Sequence, residues 1–258
     1  MELWGALALA LALALALLPL LWRCAPFRFF CKMASYNGWI LLLALVAIPL
    51  CARRGRDVAN MRVLRALLQQ LKHLYGIRIS VRGAQNFPPG QPYVVVSNHQ
   101  SSLDLMGPHV GVPRGHSQPQ WLSVGPYSSL WVPVDRCGSP WVPVGLSGFP
   151  WVTVGLSAPQ VRVWVFPEGT RNHSGSMLPF KRGAFHLAVQ AQVPVVPIVI
   201  SSYQHFYSKR ERRFTPGRCV VQVLPALPTR GLGAADVGQL TERVRGAMLE
   251  AFEALEAE

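Results

Sequence analysis

Residues 93–104 read YVVVSNHQSSLD, an apolar run that breaks into a polar turn carrying His99 and, five places on, Asp104. Tyr93 to Val96 are consecutively apolar, too short for a helix and without the alternation of a half-exposed strand. A turn-rich NFPPGQP stretch precedes them. A short unbroken apolar run bounded by turn signals reads as a strand buried on both faces, the kind found in α/β sheets. Side chains that do chemistry often stand where such a strand gives way to the next loop or helix.

Working outward, the same logic organises residues 57–258. VANMRVLRALLQQLKHLYG (58–76) spaces Val63, Leu64, Leu67, Leu68, Leu71 and Leu74 as an amphipathic helix that stops at Gly76. IRISVRG (77–83) alternates at period two, as a half-buried strand does. Downstream, VRVWVF (161–166), PVVPIVISS (194–202) and CVVQVLPAL (219–227) read as strands. GAFHLAVQAQ (183–192) and the amphipathic tail 236–258 read as helices. Strands alternating with helices predict an α/β layered domain.

Residues 1–56 are different. ELWGALALALALALALLPLLW (2–22) is an apolar run long enough to cross a bilayer. Its leading residues hold Glu2 and no Lys or Arg, and no small-residue cleavage site follows, so a retained anchor is expected over a signal peptide. GWILLLALVAIPLCA (38–52) is shorter and holds Pro49, which leaves one span, two spans or a re-entrant segment open. Arg53, Arg54, Arg56, Arg62 and Arg65 follow it, so the main domain is expected on the cytosolic side.

With 25 Lys and Arg against 12 Asp and Glu, the chain carries a formal charge of +13, suited to an anionic membrane, a phosphate-bearing substrate or nucleic acid. The basic KRERR stretch (209–213) lies in no recognisable nucleic-acid module, so a membrane-facing or solvated loop is the expectation and nucleic acid is not. Five scattered cysteines offer neither a disulfide framework nor a zinc site, and no metal is expected.

The chemistry rests on two separated motifs. In NHQSSLD, a carboxylate one turn beyond His99 can reach back to the imidazole and fix its tautomer, making a general base for a hydroxyl. Alone, that motif reads equally as a capping Asp beside a surface His. VFPEGTRN (165–172) shifts the balance: Gly169 allows a tight turn, and the Arg171 guanidinium suits bidentate phosphate binding. PFKRGAF (179–185) then puts Lys181 and Arg182 ahead of a helix, where free N–H groups also favour anions. A solvated basic loop would need no strand feeding it and no helix receiving it. Asn172 opens an Asn-His-Ser sequon, but a glycan there would block the site, so it is read as coincidence.

NHQSSLD, VFPEGTR and PFKRGAF in this order resemble the glycerolipid acyltransferases, and among them the 1-acylglycerol-3-phosphate (lysophosphatidic acid) acyltransferases. MASYNGWI to NHQSSLDL, and VRVWVFPEGTRN through VPIVISSY, look like the alpha form. The resemblance implies the family's α/β domain behind N-terminal membrane helices, in the endoplasmic reticulum membrane. It implies transfer of a fatty acyl group from acyl-CoA, a co-substrate, to the sn-2 hydroxyl of lysophosphatidic acid, with no cofactor. His99 would take the hydroxyl proton and Asp104 would orient His99. Glu168, Gly169, Thr170 and Arg171 would form the second pocket motif, with Arg171 a phosphate ligand and Lys181 adding charge.

Residues 107–160 depart from that pattern. From Trp121 they repeat in tens, WLSVGPYSSL, WVPVDRCGSP, WVPVGLSGFP and WVTVGLSAPQ, where the family has a strand and an Arg-bearing phosphate motif. Asp135 and Arg136 are a faint shadow of that motif. The units are short for central strands, and Pro133 and Pro143 each remove a ladder donor. The sequence therefore predicts an aberrant, poorly packed centre. A ten-residue period is thirty coding bases, so translated repetitive DNA in place of a genuine exon segment is the expectation. The alternative reading of the chain is a catalytically inactive membrane protein, or a gene-model artefact, that keeps partial lipid or CoA binding.

Overall fold

The computed structural model describes residues 19–54, 70–101, 103–104 and 161–258, a few helical positions before residue 70, and the strand backbones at 120–124, 142–144 and 152–154. Six strands form one mixed sheet. They are β1 (Ile77–Arg82), β2 (Tyr93–Ser97), β3 (Gln120–Val124), β6 (Val161–Val165), β7 (Val195–Ile200) and β10 (Gly217–Val223), in the order β1-β10-β7-β2-β6-β3. Strands β7, β2, β6 and β3 run parallel; β10 is antiparallel to β7, and β1 follows β10 in parallel. β2 is central, which its continuous apolar sequence requires. Val94, Val95 and Val96 are wholly buried, each stabilising the fold by about 1.5–3 kcal/mol.

Alternation along β2 divides the core in two. Val94 and Val96 face a layer made by helices α2 (Gly183–Gln190) and α3 (Val237–Glu256), with Phe185, Leu240, Val244 and Met248 at its centre. Tyr93 and Val95 face the other layer, with Phe87, Trp164, Ile198, Ile200 and Phe206. Period-two alternation thus assigns neighbouring residues of one strand to opposite cores.

That second layer is completed by α1 (Ala25–Arg54), a 30-residue helix. RCAPFRFFCK (23–32), which lies between the two apolar runs, is helical from Ala25 onward and continuous with the second run. Pro26 sits in the first turn, where its missing N–H costs nothing. Phe29, Tyr36, Leu43 and Ala47 are buried on one stripe, while Leu41, Leu42, Leu45, Ile48 and Leu50 are exposed on the others. The Tyr36 ring meets Tyr75 edge-on at 5.8 Å, and Lys32 Nζ donates to the Phe214 carbonyl at 2.8 Å. Ala25–Leu50, mean hydropathy 1.7, is long and apolar enough to cross a membrane. The first apolar run lies almost wholly outside the described residues.

The KRERR stretch spans a hairpin of β8 (Tyr207–Ser208) and β9 (Arg213–Phe214), and Arg212 lies over the Phe30 ring of α1 at 5.6 Å. The basic loop is thus set against the apolar helix.

The repeat array contributes more to the sheet than the sequence reading allows. Gln120–Val124, overlapping the first ten, is an edge strand paired in parallel with β6 over five residues, from Gln120↔Val161 to Val124↔Val165. QWLSV holds no proline, and an edge strand needs ladder bonds on one side alone. In the third and fourth units, β4 (Val142–Val144) and β5 (Val152–Val154) pair antiparallel as a separate two-stranded sheet. Asp135 and Arg136 lie outside the described residues.

Candidate active site

His99 stands two residues beyond β2, past the last β2–β7 ladder pair, Ser97↔Ile198. Side chains hold the chain there. Asn98 is buried and mimics a strand partner: its Nδ2 donates to the Ile200 carbonyl at 2.8 Å, and its Oδ1 accepts from Ile200 N at 2.8 Å. Ser97 Oγ accepts from Trp164 Nε1 at 2.9 Å.

His99 Nδ1 and Asp104 Oδ2 are 2.6 Å apart. The Asp104 side chain is 1% exposed and that of His99 17%, so the carboxylate is sealed and the imidazole reaches the surface. Asp104 sits in a short helical turn opened by Ser101, whose Oγ accepts from Leu103 N. Oδ2 also accepts from Gln100 N at 2.7 Å and Ser101 N at 3.0 Å. Three donors on one oxygen fix the carboxylate, and with the Nδ1 proton turned to it, Nε2 is left as the free base. The imidazole also stacks on Phe166, ring centroids 4.0 Å apart.

The two sequence motifs meet at Glu168. This side chain is 4% exposed, and its Oε1 accepts from the His99 main-chain N at 2.8 Å. Its Oε2 accepts from Leu178 N at 3.0 Å and Asn172 Nδ2 at 3.5 Å. Burial pushes the carboxyl above its ordinary value, opposed by the hydrogen bonds from Leu178, His99 and Asn172. Asn172 N in turn donates to the His99 carbonyl at 2.7 Å. Glu168 therefore joins the 165–178 loop to the histidine turn.

Gly169 follows with φ +71°, a left-handed conformation that disfavours any Cβ, and a Cβ here would lie 2.5 Å from Lys181 Nζ. The lysine thus lies across the bare glycine, its own N anchored on the Pro167 carbonyl at 2.8 Å. Thr170, Arg171 and Lys181 are exposed. Among the described residues, the Arg171 and Lys181 side chains enter no hydrogen bond or ion pair, so both cations are available to an anion. Arg171 and His99 are near enough for both charges to bear on His173, whose pKa is lowered mainly by burial and next by Lys209.

All seven sequence-predicted residues thus fall at one end of the sheet, as a histidine backed by a buried carboxylate, a strut and a cationic rim. No group of His, Cys, Asp and Glu suited to a metal ion occurs among the described residues. Asn172, the sequon residue, is buried with its amide turned inward to Glu168 and Ser176, which fits an unglycosylated side chain. Sequence reasoning missed Asn98, Gln100 and Phe166. The amides flanking His99 were a visible signal; the Phe166 stack was not.

A His–Asp pair at the end of a central parallel strand, beside a Glu-Gly-Thr-Arg turn, defines an acyltransferase, and the family model described as Acyltransferase matches residues 78–134 and 152–201. The human 1-acyl-sn-glycerol-3-phosphate acyltransferase alpha is 55% identical over 255 residues, covering 96% of this chain and 90% of that protein. The Ovis aries alpha protein is 57% identical over 263 residues, covering 98% and 91%. The human beta protein is 40% identical over 259 residues, covering 98% and 92%. The chain belongs to the 1-acyl-sn-glycerol-3-phosphate acyltransferase family. Its fold is that of the crystal structure of the 1-acyl-sn-glycerophosphate (LPA) acyltransferase PlsC from Thermotoga maritima, with a TM-score of 0.51 at 20% identity, over 91% of this chain and 97% of that one. The family model passes over residues 135–151, within the second, third and fourth tens.

Proposed function

We propose that this chain transfers a fatty acyl group from acyl-CoA to the sn-2 hydroxyl of lysophosphatidic acid, forming phosphatidic acid. The observation that carries the reading is the 2.6 Å His99–Asp104 pair on the same end of the sheet as Arg171 and Lys181, whose side chains enter no hydrogen bond or ion pair among the described residues. That its alpha and beta relatives are 1-acyl-sn-glycerol-3-phosphate acyltransferases supports the acceptor. In this reading Arg171, with Lys181 beside it, takes the acceptor phosphate and brings the neighbouring hydroxyl to His99. His99 Nε2 removes the hydroxyl proton as that oxygen attacks the thioester carbonyl. The C–O bond forms, the C–S bond breaks, and the CoA thiolate leaves and takes up the proton from the imidazolium. A thiolate is a good leaving group, so the chemistry asks for no covalent enzyme intermediate and no metal or cofactor. Glu168 serves acceptor binding through the turn it holds, and Thr170 borders that turn.

The same reading places the enzyme in the endoplasmic reticulum membrane with the α/β domain in the cytosol. The exposed apolar face of α1 and the basic loop lying against that helix support membrane lipids as its setting.

The test is incorporation of labelled acyl-CoA into lysophosphatidic acid by the purified full chain in lipid vesicles, beside His99→Ala. Phospholipase A2 digestion of the product then reports the position. Wild-type incorporation at the His99→Ala level would sink the enzymatic reading, and label surviving the digestion would sink the sn-2 assignment.

A further inference from the structure

Gln100 lies immediately beyond His99, and every hydrogen-bonding group of its side chain is spent on one piece of chain. Its Nε2 donates to the Ile200 carbonyl at 2.8 Å and the Ser201 carbonyl at 3.0 Å. Its Oε1 accepts from Tyr203 N at 3.2 Å. Its main-chain N, meanwhile, donates to Asp104 Oδ2. The amide therefore links the C-terminal end of β7, past its last ladder bond to β2, to the donor that aims the catalytic carboxylate. The Asn98 side chain bonds to Ile200 and extends the sheet; Gln100 reaches both the sheet and the dyad.

The other carboxylate oxygen sharpens the point. Among the described residues Asp104 Oδ1 is buried without a hydrogen bond, so the three donors to Oδ2, with the Tyr203 side chain set beside the carboxylate, orient it. One of them, Ser101 N, follows Gln100 in the same turn. A free Gln100 would release both main-chain donors together. Tyr203, whose N is held by Gln100, is buried beside Asp104.

We propose that Gln100 is a positioning residue for the acyl transfer, clamping the His99–Asp104 turn to the end of β7 so that the imidazole is held at its productive angle. The proposal rests on the acyl-transfer reading of that pair. It touches no substrate and acts through Asp104 and His99 alone.

Steady-state kinetics of the full chain in vesicles test it, with His99→Ala as the floor. Gln100→Met keeps the length and loses all three side-chain bonds. The expected result is a fall in kcat of about 30- to 100-fold, since a displacement near 1 Å can cost ~10²-fold. KM for both substrates should stay within about threefold, and the melting temperature within a few degrees. In Gln100→Glu, a protonated acid can still donate to Ile200 and accept from Tyr203, whereas a carboxylate opposes two carbonyls. Its kcat relative to wild type should therefore rise as pH falls, while the Gln100→Met ratio stays flat.

Wild-type kcat in Gln100→Met, or a kcat loss accompanied by equal changes in KM and a collapse in melting temperature, would overturn the proposal. A flat Gln100→Glu ratio would overturn it too, and decides alone if the Met variant does not fold. If wild type and His99→Ala are equal, the acyl-transfer reading has failed, which is a different outcome. The His99 Nδ1 proton resonance in ¹⁵N-histidine-labelled, micelle-bound protein then still reads the clamp. It must be sharp and downfield in wild type and lost or displaced in Gln100→Met, and an unchanged signal would refute the clamp.

Discussion

The rings of His99 and Phe166 lie face to face, centroids 4.0 Å apart and planes 20° apart. One face of the imidazole is thereby closed to water, and its plane is set by packing as well as by Asp104. Phe166→Ala should lower kcat about tenfold with little change in KM, because the ring gains a freedom that proximity catalysis cannot tolerate. Phe166→Tyr, which keeps the stack, should retain most of the activity. Equal kcat in wild type and Phe166→Ala would show that the carboxylate suffices.

Arg171 and Lys181 present charge that no residue among those described answers. Removing Arg171 should remove charge-assisted hydrogen bonds to the acceptor phosphate, worth about 1.5–3 kcal/mol. Arg171→Ala is therefore expected to raise KM for lysophosphatidic acid by about 10- to 100-fold, leaving KM for the acyl donor near wild type. Arg171→Lys should recover part of the loss, since it restores charge without the guanidinium fork. A rise in the donor KM instead would move Arg171 to the other substrate.

Gly169→Ala meets two obstacles: φ of +71° and the Lys181 ammonium within 2.5 Å of the new Cβ. The left-handed conformation costs an alanine about 1–2 kcal/mol, to be read as a lower denaturation midpoint. Lys181 must also move off the turn, so KM for the phosphorylated acceptor should rise in the same variant. An unchanged midpoint would mean that the turn adapts.

Cys219 is buried between β1 and β7, and burial pushes its thiol up to about 12. The thiolate is the reactive form, so peptide mapping after iodoacetamide treatment at pH 8 should find Cys219 unmodified in native protein and modified after denaturation. The sign for stability follows from the raised pKa. Below the ordinary thiol value the contribution is complete. As pH rises from there towards 12, the unfolded state ionises first and the contribution is lost. Cys219→Ala should flatten that alkaline decline.

Most of this site could be read in the chain because its residues are local to strand ends. Val94 to Val96 announce a doubly buried strand, and the groups just beyond it are where chemistry is expected. Glu168 was harder. Its place in a Gly-Thr-Arg turn suggests a ligand, whereas its bonds to His99 N and Leu178 N join segments remote in sequence. Phe166 illustrates the same limit, since a stack between two loops has no periodicity to betray it. For α1, the charges at Arg23, Arg28 and Lys32 between the two apolar runs leave the membrane topology open from sequence. Lys32 is satisfied by the Phe214 carbonyl, a partner 182 positions away.

The place of β3 bears on the repeated tens. Among the described residues it pairs with β6 alone, and residues 125–160 connect these two parallel strands. Such a connection needs roughly a dozen residues, far fewer than the path contains. Gain or loss of one whole unit after the first would change the length of that path while leaving both strand sequences as they are. Such a change would reach the sheet only through the length of the connection between β3 and β6.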